Sequence, residues 1–336
     1  MDKNSEILIS VIIPAYNAEK YISRAIDSAL YQNHKNIEII VINDGSKDNT
    51  EQIVKSYGNT IKYCFQENKG VAEARNFGIS ISKGDYVAFL DADDYVLPEM
   101  YSKMLMQAIH SNSDMVLCGI FLENEKGIRR RAYTYNQTDY DLERTCDLKK
   151  AFQIIGNSSC NKIYKKSLIS DIKFPKFKRG EDALFVLECL LKMKKISCVN
   201  EPLYVYFQNS LSVTKSFITL DVLENYKLVH NEKRKLIKYH NHLHELGEDL
   251  QDYYTKYFLM YTNGIRKIRD TDLKKKCWAK WLEMNKKDFI KDTVLKKITD
   301  VHENIHWTYY SGMIATGKFI DPVLNRINNL KFYLNR

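Results

Sequence analysis

The chain has 336 residues, enough for one large domain or for one domain with a substantial extension. Its 44% hydrophobic and 28% charged content excludes a disordered chain, no apolar run reaches the roughly 18 residues of a membrane-spanning helix, and seven scattered cysteines without a CxxC pair fit reduced thiols in a cytosol rather than a zinc site or a disulfide framework. The net charge of +9 is uneven, since residues 221–336 carry 22 Lys and Arg against 15 Asp and Glu and leave the first 220 residues close to balanced.

The opening residues, MDKNSEILISVIIP, lack a basic leader and a small-residue cleavage site, so no signal peptide is expected. Ile7–Pro14 is a β-branched run and predicts a buried strand. Ala18–Gln32 follows with Ile22, Ala25, Ile26, Ala29 and Leu30 at helical spacing. Ile37–Ile42 predicts a second strand, Thr50–Tyr57 a short helix, Ile61–Phe65 a third strand, Val71–Ile81 a helix and Tyr86–Leu90 a fourth strand. Pro98 would open the next helix, Pro98–His110, and Met115–Phe121 would be a fifth strand. Residues 122–146 are charged and tyrosine-rich and show no clear period; Leu148–Ile155 and Asp182–Met193 predict helices, and Lys194–Tyr206 one strand followed by a second short one. Beyond about residue 215 the chain reads as helix nearly throughout. Alternating strands and helices of this spacing predict an α/β fold, a mostly parallel sheet covered on both faces. A soft boundary near 215 separates a domain over 1–215 from a helical region over 216–336.

Ligands of open α/β sheets bind beyond the carboxyl ends of the strands, so the turns after Pro14, Ile42 and Leu90 are where chemistry is expected. The third is the most unusual: in GDYVAFLDADDYVLPEM an apolar strand ends in Asp91, Asp93 and Asp94. Concentrated carboxylates repel, and a cation would compensate them. In an extended segment residues two apart share a side, so Asp91 and Asp93 would converge while Asp94 turns away. Oxygen donors suit Mg2+ or Mn2+, and Mg2+ held by so few carboxylates fills its shell with phosphate and water. The alternative is an ordinary acidic turn before a helix. In the second turn, Asn43-Asp44-Gly45-Ser46, Asp44 is free to accept hydrogen bonds from a base or ribose. The first turn, PAYNAEKY, has no glycine, and neither GxGxxG nor GxxxxGK[ST] occurs, which argues against a dinucleotide-binding enzyme or a P-loop NTPase.

Taken together, ISVIIPAYNAEKYISRAIDSAL, IEIIVINDGSKDNT, ENKGVAEARNFGI and GDYVAFLDADDYVLPEM resemble the inverting family-2 glycosyltransferases of the GT-A (Rossmann-like) fold, of the bacterial surface-polysaccharide type. The resemblance runs over residues 7–121, with the later patches CNKIYKK and RGEDALF at 160–166 and 179–185. It implies that Pro14, Ala15 and Tyr16 flank the base and ribose of a sugar nucleotide. Asp44 would accept from the base ring, which favours UDP. Arg75 would lie near the diphosphate, Asp91 and Ala92 of the DXD stretch near the ribose or metal-bound water, and Asp93 on Mn2+ or Mg2+. It makes Asp182 the catalytic base, with Glu181, Asn161 and Lys162 on the acceptor side. Inverting transfer needs such a base, and Asp182 opens a helix whose dipole favours a carboxylate. The same acids also read as ordinary first-turn residues.

The expected partners are a UDP-sugar donor and a glycan or lipid-linked oligosaccharide acceptor, with no nucleic acid. The basic, aromatic segment His306–Arg336 would lie on an anionic membrane surface, on the protein itself or on a second copy in a homo-oligomer. These features predict a cytoplasmic protein, with the inner face of the plasma membrane as the surface it would meet if the basic segment binds a membrane. The absence of QxxRW and of a membrane span disfavours a processive synthase. Two rivals are a non-catalytic nucleotide-sugar-binding or scaffolding subunit, which turnover would exclude, and a nucleotidyltransferase, which would need a triphosphate loop that PAYNAEKY does not supply.

Overall fold

The computed structural model describes residues 6–133, 135, 138–209 and 218–289. Ten strands form one sheet: β1 (Ile9–Ala15), β2 (Ile37–Asp44), β3 (Lys62–Gln66), β4 (Tyr86–Phe89), β5 (Tyr95–Val96), β6 (Met115–Asn124), β7 (Arg129–Tyr133), β8 (Asp139–Asp141), β9 (Lys162–Lys165) and β10 (Lys195–Gln208). The order is β3-β2-β1-β4-β9-β6-β10-β5, with β7 added on β6 and β8 on β10. Strands β3, β2, β1 and β4 are parallel neighbours. β9 is antiparallel to both β4 and β6, so β6 points the same way as β4, and β10 runs parallel to β6. The carboxyl ends of β1, β2, β3, β4, β6 and β10 therefore share one edge of the sheet.

The core follows from the apolar runs. Ile39 and Val41 of β2 face the same cluster as Ile22 and Ala25 of α1 (Ile22–Leu30), whereas Ile40 and Ile42 face Ala74 of α3 (Val71–Ile81). Burial on both faces of one strand is what a continuous Val/Ile run encodes. Pairing of β1 with β4 stops at Ile12, so Pro14, which lacks an N–H, lies where only β2 runs alongside. α2 (Thr50–Lys55), α4 (Met100–Ser111), α5 (Thr145–Ile154), α6 (Lys166–Ile169) and α7 (Glu181–Lys192) complete this unit. The fourth helix starts two residues later than Pro98 suggests.

Three features depart from the sequence expectation. The tyrosine-rich stretch contains the hairpin β6–β7 and the short β8. CNKIYKK supplies β9, in the middle of the sheet. Lys195–Gln208 is a single strand rather than two, and its ladder with β6 shifts register around Pro202.

The chain divides into two compact units, and the division does not follow a single cut. Among the described residues, 6–209 and 231–250 form one unit, and 218–230 with 251–289 the other. Helix α8 (Leu220–Tyr239) and helix α9 (Leu243–Arg266) thus each contribute to both units, and α10 (Thr271–Phe289) belongs to the second. Ile237, Leu246 and Leu250 are buried in the core of the first unit. The second unit has an aromatic core of its own, with Tyr226 against Tyr254, Tyr257, Tyr261 and Trp281. Among the described residues no helix is long and apolar enough to cross a membrane. The segment His306–Arg336 lies outside the described residues.

Candidate active site

Arg75 organises the shared edge. Its side chain is 3% exposed. One guanidinium nitrogen donates to Asp91 Oδ1 at 2.8 Å; the other donates to Glu181 Oε1 at 3.1 Å and to Asp182 Oδ1 at 3.0 Å. The planar fork of arginine suits such bridging, which a point-charge ammonium cannot reproduce. The guanidinium carbon lies 5.2 Å from the ring centroid of Phe174, itself stacked on Phe185 at 3.8 Å. Two small residues make the placement feasible. A Cβ on Gly78, one turn after Arg75, would lie 2.4 Å from Ile12 Cγ2, so only glycine lets α3 lie this close to β1. Gly180 has φ of +84° and turns the chain into α7, so that Glu181 and Asp182 start the helix beside Arg75. Asn76 braces the same region: its side chain donates to Phe174 O and accepts from Phe174 N–H.

The two helix acids differ in charge state. Burial, then the neighbouring charge of Asp182, pushes Glu181 up to about 8. Burial, the largest influence, opposes ionisation of Asp182 as well, but the Arg75 guanidinium, the Glu181 side-chain hydrogen bond and the backbone N–H groups of Ser159 and Asp182 together outweigh it and hold that carboxyl below its ordinary range. The pair therefore holds one proton near neutrality, on Glu181, and leaves Asp182 as the anion. The Asp182 side chain is 23% exposed against 9% for Glu181, so the anion is also the more accessible of the two. Ser159 Oγ approaches Asp182 Oδ2 at 3.5 Å.

The acids of the third turn have separate duties. Asp94 N–H donates to Asp91 O at 3.0 Å, so residues 91–94 form a closed turn and not the extended segment expected from the sequence. Asp94 does turn away. It is 1% exposed and accepts from Tyr204 OH at 2.5 Å and Phe207 N–H at 2.8 Å, fastening the turn to β10. Those anchors produce the turn. Asp93 Oδ2 accepts from Asn209 Nδ2 at 2.9 Å, and its carbonyl accepts from Arg24 at 2.6 Å. Arg24 in turn lies over Phe207 and Tyr95, with its guanidinium carbon 4.2 and 4.6 Å from the ring centroids. Burial, reinforced by the Asp91 charge, pushes Asp93 up to about 6.

No group of three or more His, Cys, Asp or Glu side chains is arranged as a metal cluster among the described residues. The donors present still fit a divalent cation. They are oxygens, they repel one another, and a cation at Asp93 would offset the burial and the Asp91 charge that make its ionisation costly. With so few carboxylates, phosphate and water would fill the rest of the shell.

The remaining sequence candidates are distributed as follows. Pro14 and Ala15 are buried at the end of β1, and Tyr16 is the first residue beyond it, 49% exposed. Asp44 is 3% exposed and anchors the loop before α3, accepting from Gln66 Nε2 at 2.7 Å, Lys69 N–H at 2.8 Å and Gly70 N–H at 2.9 Å. The first two turns are laced together by Asn17 N–H to Ser46 Oγ and Lys47 N–H to Asn17 Oδ1. Ala92 lies half-buried between its acidic neighbours. Asn161 and Lys162 are interior residues, 3% and 1% exposed. Asn161 donates to Cys118 O, and Lys162 Nζ donates to Ser158 O and Asn161 Oδ1. The structure thus joins Arg75, Asp91, Glu181 and Asp182 directly, and keeps Asn161 and Lys162 in the core. Sequence reasoning missed Arg24, Asn76, Ser159, Phe174 and Asn209. Of these only Asn209 had a usable signal, as the residue just past a strand end.

Comparison with known proteins bears on the family and the fold. The family profile described as glycosyl transferase family 2 matches residues 10–173. Glycosyltransferase GlyG of Streptococcus pneumoniae serotype 4 is 31% identical over 222 residues, 62% of this chain and 73% of that protein. The crystal structure of S. aureus TarS 1–349 in complex with UDP-GlcNAc matches with a TM-score of 0.66 at 24% identity, covering 83% of this chain and 80% of that one. The mannosyltransferase PcManGT from Pyrobaculum calidifontis, solved in complex with GDP-Man and Mn2+, matches with a TM-score of 0.50 at 14% identity over 70% of this chain and 69% of that one. The two structural matches speak for a shared GT-A fold.

Proposed function

The chain belongs to glycosyl transferase family 2 and is a glycosyltransferase, and from that premise we propose that it transfers a sugar from a UDP-sugar, with inversion, to a hydroxyl of a glycan acceptor in cell-surface polysaccharide synthesis. The observation that carries the reading is the Arg75 bridge. One buried cation joins Asp91, at the end of β4, to Glu181 and Asp182, at the start of α7. The carboxylate expected on the donor side and the one expected on the acceptor side are thereby held in one rigid unit.

In this reading Asp182 is the base. It removes the proton of the acceptor hydroxyl as that oxygen attacks the anomeric carbon on the face opposite the nucleotide. The bond from that carbon to the diphosphate oxygen breaks, and UDP departs with the electron pair. A carboxylate held below its ordinary pKa is a weak base at rest, but the hydroxyl becomes strongly acidic only as the new bond forms, which is where general-base catalysis acts. Glu181, carrying its proton, keeps the pair from presenting two anions to each other. Pro14, Ala15, Tyr16 and Asp44 lie at the ends of β1 and β2, where the uridine would bind. Ala92 would lie against the ribose. Asp93 would hold Mn2+ or Mg2+, with Asp91 reaching it through water. A bound divalent cation neutralises charge that develops on the departing diphosphate. That TarS was solved with UDP-GlcNAc and PcManGT with Mn2+ supports this choice of donor class and cofactor.

The test is UDP release from a panel of UDP-sugars with Mn2+, Mg2+ or EDTA, in the wild type and in Asp93→Ala and Asp182→Asn. Metal-dependent release from one donor, lost in Asp93→Ala, is expected. Asp182→Asn should bind that donor normally yet lose about 10²–10⁴ in transfer rate, and nuclear magnetic resonance of the product should show the opposite anomer. Retained transfer by Asp182→Asn, or a product of unchanged configuration, would sink the mechanism.

A further inference from the structure

We propose that Asn209 is a ligand of this site, its side-chain amide oxygen binding the divalent cation that Asp93 holds. The inference rests on the metal-dependent reading above. Asn209 follows directly on β10, whose carboxyl end reaches the same edge of the sheet as those of β1 and β4. The residue is 4% exposed. Its Nδ2 donates to Asp93 Oδ2 at 2.9 Å and its backbone N–H to Phe207 O at 3.1 Å, yet its Oδ1 has no partner.

A buried amide oxygen without a donor is an unmet need, and the identity of the atom limits what can meet it. Phosphate oxygens are acceptors and cannot. A hydroxyl, an N–H or a cation can. Positive charge is what the surrounding acids need: Asp91 and Asp93 lie within electrostatic reach of each other, opposed by the Arg24 and Arg75 guanidinia. Amide oxygens belong to the hard donor set of Mg2+ and Mn2+. Asn209 would supply such a donor without adding a further negative charge. Its position is also fixed relative to Asp93. Asp94, the residue after Asp93, accepts from Phe207 N–H, two residues before Asn209. The third acid of the turn therefore acts as a clip between the two cation ligands.

The test is a Mn2+ titration of the full-length chain with UDP present, following free Mn2+ by electron paramagnetic resonance and bound Mn2+ by water-proton relaxation. Asp93→Ala should abolish binding. Asn209→Ala should weaken it about tenfold and raise the relaxivity of the bound ion, because a water takes the vacated position. Asn209→Asp, which keeps an oxygen donor, should bind at least as tightly as wild type with unchanged relaxivity; this variant preserves shape and serves even where alanine fails to fold. Asp93-dependent Mn2+ binding that stays within twofold in Asn209→Ala, with relaxivity unchanged, would overturn the assignment alone and transfer the amide to a hydroxyl of the donor sugar. Mn2+ binding that is absent, or indifferent to Asp93→Ala, would overturn the metal reading and this inference together.

Discussion

A single buried guanidinium facing three carboxylates raises the question of where the protons sit. Arg75 balances one negative charge, and the remaining repulsion is relieved by protonating Glu181, the less exposed of the helix pair. That has a measurable consequence. The folded-state value of Glu181 is about 8, raised from an ordinary 4.5. Between those values the folded chain holds a proton that the unfolded chain has released, so stability falls as pH rises through this window and is fully present below it. Each tenfold difference in proton affinity between the folded and unfolded chain corresponds to roughly 1.4 kcal/mol. Glu181→Gln carries no such proton. Its melting temperature relative to wild type should rise from pH 5 to pH 8.5, as read by circular dichroism at each pH. A difference that does not change with pH would show that Glu181 ionises normally. A carboxylate-rich turn also need not be a metal cluster: Asp94 is held by Tyr204 and Phe207, which leaves Asp93 and Asp91 of this turn for a ligand.

Among the elements, α3 matters most, because it carries Arg75 and Asn76 on one turn and Gly78 on the next. Its closeness to β1 is set by the missing side chain at Gly78, where a Cβ would meet Ile12 at 2.4 Å. Gly78→Ala should therefore destabilise the protein by about 1–3 kcal/mol through overpacking. It should also lower transfer beyond what the fold loss explains, since α3 must move and take the guanidinium with it. Adding Ile12→Ala removes the obstructing branch. In a double-mutant cycle the pair should be less damaging than the sum of the two single changes, measured by urea unfolding. Strict additivity would mean that α3 is not held by this contact. Helix α7 works similarly from the other side: the left-handed Gly180 sets its entry, and without that turn Glu181 and Asp182 would not start the helix.

At the level of the whole molecule, the unit that carries the sheet is not closed by the first 215 residues. The end of α8 and the start of α9, within residues 231–250, belong to it, and Ile237, Leu246 and Leu250 are 0%, 0% and 3% exposed in its core. Gln153 donates to Asp249 at 2.7 Å, and Lys233 to Asn157 at 3.2 Å. A chain ending at residue 215 loses all of these. Each buried Leu or Ile is worth roughly 2–5 kcal/mol by comparison with truncation to alanine, so this fragment should be insoluble or melt far below the full chain. A soluble fragment with unchanged melting and donor turnover would show that the helical hairpin is dispensable.

How much could be read from the sequence varies with the range of the interaction. The strands β1 to β4 and the helices between them were legible because their β-branched runs and helical spacing are local, and each overlaps its expected span, although α1 starts at Ile22 rather than at Ala18. The turns rich in Asp, Asn and Gly were legible for the same reason; Arg75 was singled out by the family resemblance, as a neighbour of the diphosphate, whereas its pairing with Asp91, Glu181 and Asp182 came only from the structure. Strand β9 was not: its four residues, KIYK, sit between antiparallel neighbours, and their place in the sheet depends on β4 and β6, distant in sequence. Lys162 illustrates the same limit, because a lysine reads as a surface group until the sheet buries it and Ser158 O and Asn161 Oδ1 accept hydrogen bonds from its Nζ. Local patterns thus carry the α/β alternation, the family and the set of acids at the strand ends. Tertiary structure alone decided which acids share Arg75, which one is spent as a clip and which buried amide faces Asp93. Those outcomes hang on contacts between residues some 16 to 116 positions apart, which no local pattern encodes.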